Sequence, residues 1–254
     1  MQLYFKESGQ GRPVILLHGL FGSSDNWHYL AQKLAGQYRV LAVDQRNHGA
    51  SPHSPQMDYP LMAADLSELM SGLRVSSAMV LGHSMGGKTA MQFALQFPAM
   101  VEKLVVADMA PRAYRPSHDL IFAALSALDL SKFTNRSQME EALAPAIPSL
   151  LLRRFLLKNL GRDAAGSFFW KINLPGLANN YSHLREPLAP TTPFPRPALF
   201  LRGAQSNYVT DADEPLIRQL FPAATFQTIA GAGHWLHADQ PAEFERLVLN
   251  FFTG

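Results

Sequence analysis

Residues 78 to 97 pass from an apolar run, Ala78 to Leu81, through the pentapeptide Gly82-His83-Ser84-Met85-Gly86 into a helical pattern. In that pattern Ala90, Phe93, Ala94 and Phe97 recur at three- and four-residue intervals, the period of one helix face. A strand that turns this sharply into a helix forces strained backbone angles on the turn residue. Only glycine then fits two positions to either side without a clash. Ser84 would stand with its hydroxyl out of the sheet edge, at the positive end of the following helix. The pentapeptide also arises by chance in glycine-rich turns, so its meaning depends on the rest of the chain.

The chain has 254 residues, 47% of them hydrophobic, enough for one large α/β domain with an inserted subdomain. A net charge of +2, with basic residues spread along the chain, gives no footprint for nucleic acid. The absence of cysteine excludes a disulfide framework and cysteine metal sites. The opening residues Met1 to Glu7 lack the pattern of a secretion signal, and no run approaches 18 apolar residues. A cytoplasmic, soluble protein without a membrane span is the expectation.

Short apolar runs alternate with helical patterns through the first 110 residues. Leu3 to Lys6 reads as an edge strand, while Pro13 to Leu17 and Tyr38 to Val43 read as strands buried on both faces. Helical patterns run from about Asn26 to Ala35 and from Tyr59 to Leu73. After the serine turn and its helix, Val101 to Asp108 is a further strand. This order predicts an α/β fold, a doubly wound and mostly parallel sheet, with functional loops at the carboxyl ends of the strands. From residue 111 to 195 helical patterns replace strands, around Leu120–Leu128, Gln138–Ala144, Leu150–Leu160 and Ala164–Trp170. Prolines 187, 190, 193, 195 and 197 stiffen the exit. The expectation is a helical cap over 111–195 inserted into a core made of 1–110 and 196–254. The core resumes with a strand at Ala198–Leu201, a helix at Glu214–Leu220, a strand at Thr225–Ile229 and a helix from Pro241 to Phe252.

A serine nucleophile needs a base, and the base needs an orienting acid. Among nine histidines, His234 lies in Gly231-Ala232-Gly233-His234-Trp235, on a glycine-rich loop just past the last strand. That place suits the base.

The strand order, Gly82-His83-Ser84-Met85-Gly86-Gly87 and Gly231-Ala232-Gly233-His234-Trp235 resemble the α/β-hydrolase superfamily over essentially the full length. The strings His18-Gly19-Leu20-Phe21-Gly22-Ser23 and Asp44-Gln45-Arg46-Asn47-His48-Gly49-Ala50-Ser51-Pro52-His53 narrow the likeness. With the serine motif they resemble the small esterase branch that contains the bacterial YbfF-type esterases and a mitochondrial abhydrolase relative.

The resemblance makes the acid informative. Most of the superfamily carries Gly-x-x-Asp-x-x-Val after the penultimate core strand. Here the stretch is Gly203-Ala204-Gln205-Ser206-Asn207-Tyr208-Val209, with serine at the acid position. Asp211 and Asp213 come several residues later and suit turn or helix-cap roles. Asp108 ends the strand that follows the nucleophile's helix, so its tip borders the same crevice. In the esterase branch this aspartate acts beside a serine at the usual acid position. Asp108 is therefore the expected acid, with Ser206 as a supporting partner, since a hydroxyl cannot supply the charge that stabilises imidazolium. The oxyanion donors expected are the backbone N–H groups of Met85 and Leu20, with Phe21 as the alternative. His83 is read as a support of the elbow, and Asp44, Arg46, Asn47 and His48 as a hydrogen-bonded loop brace.

Together these residues predict a serine carboxylesterase acting on short- to medium-chain esters through an acyl-enzyme, with no cofactor and no metal. The alternatives are an acyl-CoA thioesterase with the same triad and a non-catalytic ligand-binding or interaction module on a hydrolase fold. Arg153, Arg154 and Lys158 would meet the phosphates of an acyl-CoA, or else form a solvated helix face.

Overall fold

The computed structural model describes residues 1–188 and 192–254. Its strands and helices follow one another as β1 (Phe5–Ser8), β2 (Arg12–Leu17), α1 (His28–Leu34), β3 (Tyr38–Val43), α2 (Tyr59–Gly72), β4 (Ala78–His83), α3 (Met85–Gln96) and β5 (Val101–Ala107). Between β5 and the next core strand come α4 (Asp119–Ser126), α5 (Arg136–Leu143), α6 (Leu150–Leu157), β6 (Leu160–Arg162), β7 (Phe168–Trp170) and α7 (Leu174–Arg185). The chain ends with β8 (Ala198–Gly203), α8 (Glu214–Leu220), β9 (Ala224–Ile229), α9 (Leu236–Asp239) and α10 (Pro241–Thr253).

Seven strands form one sheet in the order β1-β3-β2-β4-β5-β8-β9, parallel throughout except for the antiparallel edge strand β1. The α/β expectation holds, and its physical basis is visible along β2. Ile15 and Leu17 join one core while Val14 and Leu16 join the other, because successive side chains leave a strand on opposite faces. One face is covered by α2, α3 and α8 through residues such as Met62, Phe93 and Ile217, the other by α1 and α10 through Leu34, Phe244 and Val248. Both faces being covered explains why the strands read as unbroken apolar runs. The chain leaves β2 toward β3 on one side and β4 on the other, so a crevice opens between the carboxyl ends of β2 and β4.

The segment between β5 and β8 departs from expectation in two places. Ala164–Trp170 is not helical. Asp163 Oδ1 accepts the N–H groups of Ala165 and Ser167, Gly166 turns at φ 82°, and Phe168–Trp170 pairs back on Leu160–Arg162 as a hairpin. A side chain that closes a tight turn, followed by three aromatic residues, favours strand pairing over a helix. Helix α7 was not anticipated, although Asn173 caps it through its Oδ1 on the Gly176 N–H and a proline occupies its first turn. Pro190, one of the prolines expected to stiffen the exit, lies outside the described residues. Among the described residues no helix is long and apolar enough to cross a membrane.

Candidate active site

Ser84 follows β4 directly and stands at φ 54° and ψ −121°, a conformation most side chains avoid. The strain is held by close packing on both sides. A Cβ on Gly82 would fall 2.0 Å from the carbonyl oxygen of Gly86, and one on Gly86 would fall 2.4 Å from that of Leu17. The Ser84 N–H donates to the Ala107 carbonyl at 3.0 Å, tying the turn to β5.

The carboxyl ends of β4, β5, β8 and β9 bring four of the expected residues together. His234 Nε2 lies 2.9 Å from Ser84 Oγ, and His234 Nδ1 lies 2.7 Å from Asp108 Oδ2. A carboxylate only accepts, so Nδ1 donates to Asp108 and Nε2 is left to accept the Ser84 hydroxyl proton. Asp108 is fully buried at φ 51°. Its Oδ1 accepts the Gly203 N–H at 3.2 Å, and the Ser206 hydroxyl donates to Oδ2. Asp211 and Asp213 are elsewhere. Asp211 is 87% exposed and pairs with Arg202, while Asp213 is buried against Arg112 and the N–H of Thr210.

The loop after β2 supplies the oxyanion candidates. The Phe21 N–H donates to His48 Nε2 at 3.2 Å, so it is already engaged. The Leu20 N–H has no hydrogen-bond partner among the described residues. Met85 opens α3, where the first amides of a helix have no partner within it. That leaves Leu20 and Met85 as the available pair.

Neutral histidines hold this loop. His18 Nδ1 donates to the Gly19 carbonyl at 2.8 Å and its Nε2 accepts the Gln45 N–H at 3.1 Å. His48 Nδ1 donates to the Arg46 carbonyl at 3.0 Å. Burial pulls His18 down to about 4, and burial with the neighbouring His18 pulls His48 down to about 3. Asp44 accepts the N–H groups of Ser24 and Ala50, Asn47 accepts that of Ser54, and Arg46 forms a buried pair with Asp65 at 2.6 Å. The brace expected of residues 44 to 48 is thus a web of backbone-directed bonds. His83, also held well below its ordinary value by burial and then by His234, donates from Nε2 to the His234 carbonyl at 2.8 Å. It supports the loop on which His234 sits.

Several neighbours of Ser84 gave no signal in the sequence. Tyr208 stacks on the His234 ring with centroids 3.7 Å apart, fixing the face of the imidazole. His118 lines the cavity beside Ser84 and is pulled down to about 4 by burial and then by His234. Lys88 is fully buried between the rings of Tyr59 and Tyr114, and its Nζ donates to the Glu186 carbonyl at 2.5 Å. It ties α3 to the chain just beyond α7. Arg153 is bound to the carbonyls of Ile147 and Pro148 and Arg154 to Glu140, so neither points at the cavity. Lys158 lines a separate groove beside Tyr4 and Phe169.

The cavity above Ser84 has a volume of about 420 Å3. Its walls include Leu20, Phe21 and Trp235 and, from the segment between β5 and β8, Ile121, Leu152 and Phe155. A strained serine, an imidazole and a buried carboxylate in one hydrogen-bonded line, at the strand ends of a doubly wound sheet, define a hydrolase-type site. The chain belongs to the alpha/beta hydrolase family, whose model matches residues 14–247. It is 40% identical over 252 residues to the sn-1-specific diacylglycerol lipase ABHD11 of Xenopus tropicalis, covering 96% of this chain and 79% of that protein. It is 37% identical over 242 residues to Esterase YbfF of Escherichia coli (strain K12), covering 95% and 93%. A solved structure described as a marine microorganism esterase superposes with a TM-score of 0.96 at 44% identity, covering 98% of this chain and 99% of that one. The resemblance to this superfamily and its esterase branch therefore holds, and the protein is a hydrolase.

Proposed function

We propose that the protein is a serine carboxylesterase that cleaves short- to medium-chain carboxylic esters through an acyl-enzyme. The observation that carries the reading is the unbroken line from Ser84 Oγ through His234 to Asp108. Ser84 attacks the acyl carbon as its proton passes to His234 Nε2, and Asp108 holds the imidazole in the Nδ1–H tautomer. The N–H groups of Met85 and Leu20 take the charge that forms on the carbonyl oxygen. His234 then hands its proton to the departing alkoxide, and water repeats the cycle on the acyl-enzyme. Residues 1–110 and 196–254 are read as the core, with 111–195 as a cap that walls the cavity with apolar side chains.

That the relatives it resembles are an esterase and a lipase supports ester over thioester chemistry here, as does the engagement of Arg153 and Arg154 within their own segment. A fluorophosphonate probe tests the reading. Folded protein is expected to label at Ser84, with labelling and p-nitrophenyl butyrate hydrolysis both lost in Ser84→Ala. Folded protein that neither labels nor hydrolyses would instead favour a non-catalytic binding module.

A further inference from the structure

Two lobes leave Ser84 in different directions. The larger, about 420 Å3, is lined by His234, Trp235 and His237 with Leu152 and Phe155 above them. The smaller, about 50 Å3, runs past Met85 between Met109, Tyr59, Tyr114, Tyr181 and Leu184. Leu20, Ser117, His118 and Tyr208 border both. This dividing wall is tied in place. The Tyr181 hydroxyl oxygen accepts the N–H groups of Ser117 at 3.0 Å and His118 at 3.2 Å and shares a further hydrogen bond with His118 Nδ1 at 2.8 Å.

We infer that the small lobe receives the acyl chain and the large lobe the alcohol. The preferred substrates are then esters of short-chain acids with bulkier, largely apolar alcohols. The inference rests on the serine-hydrolase reading above. When the bond from Ser84 Oγ to the acyl carbon has formed, that carbon carries three other groups. The carbonyl oxygen faces the N–H groups of Met85 and Leu20. As the carbonyl re-forms and the bond to the alcohol oxygen breaks, that oxygen takes its proton from His234 Nε2, so the alcohol must lie on the His234 side. His234 lines the large lobe and not the small one, and Met85 the reverse. The acyl chain is left with the small lobe. The small lobe has about an eighth of the large lobe's volume, so the acyl chain is the shorter of the two groups the site takes. Water then attacks the acyl-enzyme, with His234 taking its proton and returning it to Ser84 as the short acid leaves.

Leu184 lines the small lobe, and its backbone is held independently of its side chain because the Tyr59 hydroxyl donates to the Leu184 carbonyl at 2.7 Å. Two substrate series test the assignment on the full chain: p-nitrophenyl acetate, butyrate, hexanoate and octanoate, and methyl, benzyl and 2-naphthyl acetate. For the wild type, kcat/KM is expected to fall on the order of tenfold or more from butyrate to octanoate and to rise with alcohol size. Leu184→Ala should recover octanoate by roughly tenfold while keeping the order of the alcohol series, and Phe155→Ala should change only the alcohol series. Fluorophosphonate labelling of Ser84 reports whether each variant is folded. A kcat/KM that climbs with acyl length, or an unchanged acyl profile in a Leu184→Ala protein that still labels, overturns the assignment. Folded wild type that neither labels nor hydrolyses any ester defeats the serine-hydrolase reading itself, and the lobes lose their meaning with it.

Discussion

Asp108 Oδ2 receives two donors at once, the Nδ1–H of His234 at 2.7 Å and the hydroxyl of Ser206. The Ser206 oxygen in turn accepts the Tyr208 N–H at 3.2 Å, and Tyr208 stacks on His234, so the serine links the carboxylate to the ring that packs on the imidazole. Removing a hydrogen bond to a charged, buried group costs about 1.5–3 kcal/mol, but the negative charge stays where it is. Ser206→Ala is therefore expected to lower kcat on p-nitrophenyl butyrate by about tenfold, with KM little changed. A loss as large as that of an Asp108 variant would show that the hydroxyl does more than brace the carboxylate.

Asp108→Asn is expected to cost about 10³–10⁴ in kcat by analogy with serine proteases, because the amide favours the wrong imidazole tautomer. Asp211→Asn should leave kcat within about twofold, since Asp211 is 87% exposed and its ion pair with Arg202 lies at the surface. Measuring both variants on one ester decides the acid. Collapse of the Asp211 variant with a healthy Asp108 variant would reverse the assignment.

How much of this was legible in the sequence depends on how local the cause is. Inner strands such as β2 and β4 could be read because burial on both faces makes them continuous apolar runs, and Glu214–Leu220 matches helix α8 residue for residue. Ser84 and its flanking glycines were legible because a strained turn restricts the residues beside it. The hairpin at Leu160–Trp170 was not, since Leu160 and the aromatic run Phe168–Trp170 also fit a helical spacing and only the turn at Asp163–Gly166 decides between them. Tyr208, His118 and Lys88 were hidden for a different reason. Each matters through a partner far along the chain: His234 for Tyr208, Tyr181 for His118, Glu186 for Lys88. Spacing cannot reveal a contact that only the sheet order creates.

The neutral histidines of the brace make stability depend on pH. His18 and His48 each accept a backbone N–H, which a protonated ring could not do, and burial holds them down to about 4 and about 3. Their unfolded value is near 6.5. The unfolded chain therefore binds more protons below that pH. Their contribution is intact above pH 6.5 and is lost as pH falls from 6.5 toward 4 and 3, by up to about 1.4 kcal/mol per pH unit for each ring. Urea midpoints should fall between pH 7 and pH 5. His48→Gln, which keeps an acceptor for Phe21, should show a shallower fall by about one proton. An identical slope in the variant would mean that His48 titrates alike in both states.

The elbow also makes a contrast between two glycines that sequence composition treats alike. A Cβ on Gly86 would meet the backbone oxygens of Leu17 at 2.4 Å and His18 at 2.5 Å, and neither can move without shifting the end of β2 and the loop that follows it. Gly72, at the end of α2, has nothing within 4 Å of its would-be Cβ. Gly86→Ala is expected to cost at least about 3 kcal/mol, as overpacking against rigid backbone does at its severe end, and to abolish fluorophosphonate labelling. Gly72→Ala should be neutral or stabilising by up to about 1 kcal/mol, because it mainly restricts the unfolded chain. Urea denaturation of both variants reads the difference. A Gly86→Ala protein with wild-type stability and full labelling would mean that the turn at Ser84 can relax, and that its strain is not needed to hold the hydroxyl against His234.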